Sequence, residues 1–133
     1  MKLPDKVKDM LDGPNFAHVA TVNEDGSPQN TMVWIDRDGD LITFNTAEGR
    51  VKTDNMRREP RVSISMYDDD KPYINAAIMG RVVKMTHEGA DDHINALGVK
   101  YTGGPYKGWK PGMVRVKVYV EADSIGGYVR DKH

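Results

Sequence analysis

The sequence predicts a mainly β protein of the α+β class, an antiparallel barrel of six to seven strands with about three short helices. Short apolar or alternating runs recur along the chain, and turn sequences rich in Asp and Gly separate many of them. Helical spacing is confined to a few short segments, so helices do not alternate regularly with strands as they do in a parallel α/β sheet. A length of 133 residues suits one domain, which we place at residues 1–133.

The first part of the chain begins with a helix. Val7, Met10 and Leu11 stand at helical spacing, and Gly13 and Pro14 end the pattern. The strand-like runs that follow are residues 16–22, 29–35 and 41–45. Because the sequences NEDGSP and DRDGD between them favour tight reversals, we expect an antiparallel meander of three consecutive strands.

The middle of the chain predicts a second helix and two strands. The helical pattern after Thr46 stops at Pro60, which cannot continue a helix. Residues 61–67 alternate strictly between apolar and polar, which is typical of a half-buried strand. Residues 73–85 are long for one strand, and Gly80 in their middle predicts a bulge or bend that lets the sheet curl.

The last third predicts a third helix and one or two strands. Residues 86–98 carry Ala90, Ile94 and Leu97 on one helical side and Gly98 at the end. The remaining strand-like runs are residues 113–121, expected to bury Val114, Val116, Val118 and Val120, and residues 124–129.

Composition argues against several functional classes. The formal net charge is −1, from 19 Lys and Arg against 20 Asp and Glu, so we expect no nucleic-acid partner and no membrane partner. The absence of cysteine excludes disulfides, thiolate metal sites and a cysteine nucleophile. No stretch has the apolar character of a signal peptide or the length of a membrane span, so we expect a soluble cytoplasmic protein.

A metal site is not predicted either. His87 and His93 are off the i, i+4 spacing that places two ligands on one helical turn, and no third ligand is near in sequence. We therefore expect both to be polar surface residues. His18, in a predicted strand, is expected to be hydrogen-bonded at the sheet, and a position near a ligand is the alternative.

A basic segment opens the second predicted helix, which we expect to begin near residues 47–49. Arg50 and Lys52 lie in or beside its first turn, where unpaired N–H groups already present positive charge, and Thr46 can cap it. A phosphate would relieve this accumulation, since it accepts from backbone amides, a guanidinium and an ammonium together. The alternative is a solvated helix face, because residues 46–61 hold five cations and three anions, a surplus of only two.

Several ordered motifs are similar to one known superfamily. They are ATVNEDGSPQ, VWIDRDGD, NTAEGRVKTDNMRREPRVSIS, GADDHINALGVKYTGG and RVKVYV, which together span most of the chain. The ordered set resembles the split β-barrel flavoproteins of the pyridoxamine 5′-phosphate oxidase-like superfamily, and within it the branch that uses the deazaflavin coenzyme F-420. This resemblance implies an FMN-binding type of split barrel and a homodimer with two cofactor sites at the subunit interface.

The resemblance also implies a set of cofactor-binding residues. Arg50 and Lys52 would hold the cofactor phosphate with help from Thr46, and the strand around residues 33–35 would run beside the ring system. The full set is Val33, Trp34, Ile35, Asn45, Thr46, Ala47, Arg50 and Lys52. Trp34 is equally well explained as a core aromatic residue, and Asn45 as a turn residue.

The activity implied by the resemblance is that of an oxidoreductase. Reduced coenzyme F-420 would pass hydride to a small unsaturated or electrophilic organic substrate. Two alternatives stay open: an FMN-binding oxidoreductase of the same superfamily, and a non-catalytic protein that binds or stores a flavin or deazaflavin. No catalytic side chain is assigned.

Two departures from the resembled families and one loop bear on the site. Met32 stands where relatives commonly have proline, so the wall beside the ring differs, and the tail IGGYVRDKH lacks the Arg- and Trp-containing end of true pyridoxamine phosphate oxidases. The loop at residues 101–112 carries Tyr101, Tyr106 and Trp109, which we expect to cover the cofactor or a flat substrate, or to pack a dimer interface.

Overall fold

The computed structural model describes residues 1–127, which form three helices and seven strands. The helices are α1 (Asp5–Asp12), α2 (Val51–Arg58) and α3 (Ala90–Thr102). The strands are β1 (Ala17–Val22), β2 (Pro28–Val33), β3 (Ile35–Asp38), β4 (Leu41–Ala47), β5 (Arg61–Tyr67), β6 (Asn75–Thr86) and β7 (Arg115–Gly126). They make one antiparallel sheet in the order β2-β1-β5-β6-β7-β4-β3, curled into a half-barrel. The predicted mainly β split barrel is confirmed.

The predicted three-strand meander is wrong beyond its first hairpin. β1 pairs with β2, so that Val22 lies opposite Pro28. The chain then breaks at Trp34, and β3 begins at the far edge of the sheet, where it pairs with β4. The strand predicted at residues 29–35 is therefore parts of two strands. Its apolar run contains no turn residue, so the local pattern carries no sign that its two ends pair with opposite sides of the sheet.

The core lies inside the curl of the sheet, with α1 packed against it. The predicted core residues that are buried are Val7, Met10, Leu11, Val62, Ile64, Met66, Ala90, Ile94, Leu97, Val116, Val118 and Val120. Val114 is 44% exposed, so its predicted burial is wrong, because β7 begins one residue later. Among residues 1–127, no helix has the length and apolarity that a membrane crossing requires.

Gly80 lies at an irregularity in the pairing of the two longest strands, β6 and β7, as predicted. The register of β6 against β7 shifts between Met79 and Gly80, where a Cβ on Gly80 would lie 2.6 Å from the Glu121 carbonyl oxygen. β7 continues without a break to Gly126, so the first part of the run at residues 124–129 is the end of this strand. Residues 128–129 lie outside the described residues.

The sequence predicted that Gly98 ends the third helix, but Gly98 lies inside it. α3 continues for another turn to Thr102, and Gly103 after it has a φ of +85°, the left-handed conformation common after helices. A Cβ on Gly98 would lie 2.7 Å from both the Gly104 carbonyl oxygen and the Tyr106 nitrogen. Glycine is needed at this position because the following loop folds back onto the helix.

Candidate functional site

A cleft on the outer face of the sheet brings several predicted site residues together. Its empty volume is about 530 Å³, part of which is open to solvent. The predicted residues in its lining are Val33, Trp34, Asn45, Arg50 and Lys52. The other lining residues are Met32, Ile94, Leu97, Tyr106 and Arg115. The cleft therefore lies where the end of β2, the start of α2 and one side of α3 meet.

Two cations reach the cleft from the start of α2. Arg50 is the residue before the helix, with extended backbone angles, and its side chain is exposed. Lys52 lies in the first turn and is only 7% exposed, with Nζ donating to Thr31 Oγ1 at 3.2 Å. Gly49, at φ +87°, turns the chain from β4 into the helix. The two predicted cations, two residues apart at the start of α2, thus line the same cleft.

The sequence predicted that Thr46 caps α2, and this prediction is wrong. The helix begins at Val51, later than expected, and no side chain caps it. Thr46 instead belongs to β4 and is fully buried, with its Oγ1 3.0 Å from Thr53 Oγ1. The Thr53 hydroxyl donates to the Ala47 carbonyl at 2.7 Å. Thr46 and Ala47 therefore lie beneath the start of the helix and outside the cleft lining, where they attach α2 to the sheet.

Arg115 adds a third cation that the sequence analysis did not single out. It is opposite Ala47 in the pairing of β4 with β7, on the face that α3 covers, and is 4% exposed. Its Nε donates to Asn45 Oδ1 at 2.8 Å, and its guanidinium carbon lies 5.0 Å from the centre of the Tyr106 ring. The alternation RVKVYV signals a basic outer face, but not that a helix buries part of it.

The three cations have no carboxylate beside them in the cleft lining. Burial lowers the pKa of Lys52, and the charges of Arg50 and Arg115 lower it further. Burial also lowers the pKa of Arg115, and Arg50 is among the charges that add to this. Within residues 1–127, the ion pairs that form involve other residues. A bound anion would offset this concentration of positive charge.

The remaining cleft wall is mostly apolar. Trp34 is half-buried at the break between β2 and β3, and its ring stacks on Tyr101 with centres 5.4 Å apart and planes 9° apart. Its other contact is the edge of Tyr106, at 6.3 Å. Ile35 is fully buried in the core and does not line the cleft. An apolar wall of this kind suits a flat ring.

The three aromatic residues of the predicted loop at residues 101–112 have different positions. Tyr101 lies within α3 and behind Trp34, where its hydroxyl donates to the Asn15 carbonyl at 2.6 Å. Tyr106 reaches the cleft. Trp109 is 40% exposed and contacts the edge of Tyr106, outside the lining. Of the three candidates, Tyr106 is therefore the one placed to contact a ligand in the cleft.

Asn45 lies behind the cations and joins two elements. It is 7% exposed, its Nδ2 donates to the Ala90 carbonyl at 2.9 Å, and the same nitrogen lies 3.1 Å from His93 Nδ1. His93 is only 9% exposed, so its predicted surface position is wrong, because this side of α3 packs on the outer face of β4 and β7. Burial lowers the pKa of His93 to about 4, so its ring is neutral at neutral pH.

The other two described histidines are on the surface. His87 is exposed, as predicted, with Nε2 2.6 Å from Glu48 Oε2. His18 is exposed on β1 and does not line the cleft. Among residues 1–127, no three His, Asp or Glu side chains lie close enough to hold a metal ion.

Comparison with known proteins identifies similar sequences and folds. The family model for pyridoxamine 5′-phosphate oxidase matches residues 3–122. An F420 reductase of known structure is 28% identical, with a TM-score of 0.82 over 93% of this chain and 98% of that one. A conserved hypothetical protein from Mycobacterium tuberculosis is 23% identical, with a TM-score of 0.73 over 94% of this chain and 83% of that one. A putative pyridoxamine 5′-phosphate oxidase from Listeria innocua is 16% identical, with a TM-score of 0.72 over 95% and 98%.

Proposed function

This chain belongs to the pyridoxamine 5′-phosphate oxidase family, and from that membership we propose that it is an oxidoreductase that uses reduced coenzyme F-420. The substrate would be a small unsaturated or electrophilic organic molecule that accepts hydride. The observation that carries the proposal is the cleft, where Arg50, Lys52 and Arg115 lie beside an apolar wall. The similarity to an F420 reductase, over 98% of that chain, favours a deazaflavin among the flavin-type cofactors.

The residues present fit a flat ring with an anionic tail. The exposed Arg50 offers a planar fork of donors, and the nearly buried Lys52 offers a point charge with little water around it. Ile94 and Leu97 of α3 face the cleft together with Trp34. These groups satisfy the two chemical demands of such a cofactor, which are a partner for its phosphate and an apolar surface for its ring.

The cofactor, when bound, supplies the hydride chemistry. The residues of this chain would position the cofactor: Arg50 and Lys52 would hold its anionic end and Trp34 would orient its ring. α3 would exclude water from one side of the site. In the described lining, Tyr106 is the residue with a hydroxyl group, so it is the one placed to hydrogen-bond a substrate oxygen.

A second copy of the chain would complete the site. Met32 and Val51 are each 56% exposed, and both lie beside cations of the cleft. Covering such side chains with a symmetric partner would bury apolar surface and narrow the open side of the cleft. We propose a homodimer with cofactor sites at the interface. Sedimentation equilibrium of the parent and of Met32→Lys tests this, and a monomeric parent at micromolar concentration would refute it.

Ligand titration tests the cofactor assignment. The purified protein is titrated separately with coenzyme F-420 and with FMN, followed by fluorescence and absorbance. We expect preference for F-420, and weaker binding by about 1–3 kcal/mol, or roughly 5- to 150-fold, in Arg50→Glu and Lys52→Glu. Lys6→Glu, on the exposed side of α1, is the matched control and should leave affinity unchanged.

The other outcomes of these titrations would either assign a different function or refute the site. Preference for FMN would assign an FMN-dependent oxidoreductase, which the same cations would serve. Tight binding without oxidation of the reduced cofactor by any acceptor tested would assign a non-catalytic binding or storage protein. Affinity unchanged in both charge-reversal variants would refute the site itself.

A further inference from the structure

A buried chain of hydrogen bonds runs from α3 to the cleft. His93 of α3 contacts Asn45 of β4, and Asn45 in turn accepts a hydrogen bond from Arg115 of β7. All three side chains are at least nine-tenths buried. We infer that His93 is a positioning residue for the anion site, which acts through the Asn45 amide to hold the Arg115 guanidinium in the cleft.

The directions of the hydrogen bonds link the three residues. The Arg115 Nε can only donate, so the Asn45 amide must turn its oxygen toward Arg115. The two hydrogens of Asn45 Nδ2 then point to the Ala90 carbonyl and to His93 Nδ1. His93 must therefore accept at Nδ1 and carry its proton on Nε2. If Nδ1 carried a proton, two donors would face each other, and the Asn45 amide would lose one of its three hydrogen bonds.

The imidazole is retained at a cost. His93 Nε2 is buried and has no hydrogen-bond partner within residues 1–127. An unpaired buried N–H destabilises a fold, and an aliphatic side chain at this position would avoid that cost. An aliphatic side chain would, however, remove the acceptor for Asn45. The acceptor at Nδ1 is thus the property of histidine that this position uses.

The surroundings of His93 keep it in the accepting form. Besides burial, the charges of Lys117, Arg115 and Lys100 disfavour a proton on the ring, and Asp36 opposes them. Three cations and one carboxylate therefore act on the imidazole, and the cations belong to two different elements, β7 and α3. Burial is the main cause of the neutral ring, and Arg115 is the one of these three cations that also lines the cleft.

Arg115 gains from such support because no carboxylate hydrogen-bonds its guanidinium within residues 1–127. Its guanidinium contacts the Asn45 oxygen, the Met113 sulfur at 3.6 Å and Tyr106, and the charges of Arg50 and Asp91 also act on it. An arginine whose hydrogen bonds all go to neutral groups has alternative side-chain rotamers, and the hydrogen bond to a fixed amide selects one of them. Fixing this rotamer before the ligand arrives reduces the entropy lost on binding.

A double-mutant cycle tests the inference. Affinity for coenzyme F-420 and for inorganic phosphate is measured in the parent, His93→Leu, Arg115→Met and the double variant. We expect His93→Leu to weaken binding about 5- to 10-fold in the parent and less than about 2-fold in the Arg115→Met background, because the two residues act in series. His93→Gln, whose carbonyl can accept from Asn45, should restore affinity to within about 2-fold of the parent. Equal losses in both backgrounds, or no loss in either, would overturn the inference.

The identity of the ligand rests on the proposed function, and a second measurement is independent of it. Hydrogen exchange at the Arg115 Nε–H is followed by NMR without any ligand. His93→Leu should accelerate this exchange at least about 10-fold, and His93→Gln should not. If the parent binds neither flavin nor phosphate, the proposed function fails while this test still decides the inference. Unchanged exchange in His93→Leu would refute it.

Discussion

Replacing Lys52 by methionine should stabilise the fold and weaken ligand binding. Lys52 is 7% exposed, its ammonium donates to Thr31 Oγ1, and Arg50 and Arg115 are the charges that act on it. Methionine has a similar length and an apolar, flexible stem, so it can fill the same space without the charge. The ligand-free protein therefore loses a repulsive group, whereas the complex loses an attractive one.

The two effects have different sizes. The lowered pKa of Lys52 shows that folding disfavours its charged form, so removing the charge should raise the free energy of unfolding by about 0.5–2 kcal/mol, the range of other favourable charge changes. A charge-assisted hydrogen bond to a bound phosphate contributes about 1.5–3 kcal/mol. Its loss corresponds to a Kd about 10- to 150-fold higher.

The stability effect has a defined pH dependence. Below the lowered pKa of folded Lys52, the native and unfolded states both carry the proton, and the buried charge lowers the free energy of unfolding by its full amount. Between that value and the ordinary 10.5, the unfolded state binds more protons than the native state, so the stability of the parent rises with pH. The difference in the free energy of unfolding between Lys52→Met and the parent should therefore be largest at neutral pH and shrink as pH approaches 10.5.

Urea unfolding at pH 7 and pH 10, followed by circular dichroism, measures the stability, and titration with coenzyme F-420 and FMN measures the affinity. Lys6→Met, an exposed lysine of α1, is the matched control and should change neither quantity. A Lys52→Met variant that is less stable than the parent would show that the ammonium is well paired in the folded state. Undiminished affinity would show that it does not hold the ligand.

Two further predictions concern the fold around the site. Gly98→Ala should lower the free energy of unfolding by about 1–3 kcal/mol, because its Cβ would lie 2.7 Å from the Gly104 carbonyl oxygen. Gly104→Ala, which has open space around it, should lower the free energy of unfolding by less than about 0.5 kcal/mol. Equal losses of stability in thermal unfolding of the two variants would contradict the close approach at Gly98. The hydrogen bond from Arg57, and to a smaller extent the one from His87, lowers the pKa of Glu48 to about 2. Because these pairs are exposed, Glu48→Gln should be at most about 1 kcal/mol less stable than the parent at pH 7. That difference should vanish as pH falls from 4.5 toward 2, and a difference independent of pH would rule out the charge as its cause.

Much of the fold follows from local patterns in the sequence. The alternation at residues 61–67, the helical spacing of α1 and the glycine bend at Gly80 each reflect a rule that acts over a few residues. Strand pairing is different, because it depends on contacts between distant residues. Nothing near Trp34 distinguishes a continuous strand from two strands that pair at opposite edges of the sheet, and the predicted meander was therefore wrong.

The candidate site divides in the same way. The sequence by itself determined that Arg50 and Lys52 adjoin at the start of a helix after an apolar strand, because their spacing along the chain is short. Only the tertiary structure decided that Arg115 is buried beside them and that His93 is buried behind Asn45. Alternation along a strand separates two faces but does not say which element covers the outer one. Here α3 covers part of it, and that long-range contact turns an ordinary basic strand face into one wall of an anion-binding cleft.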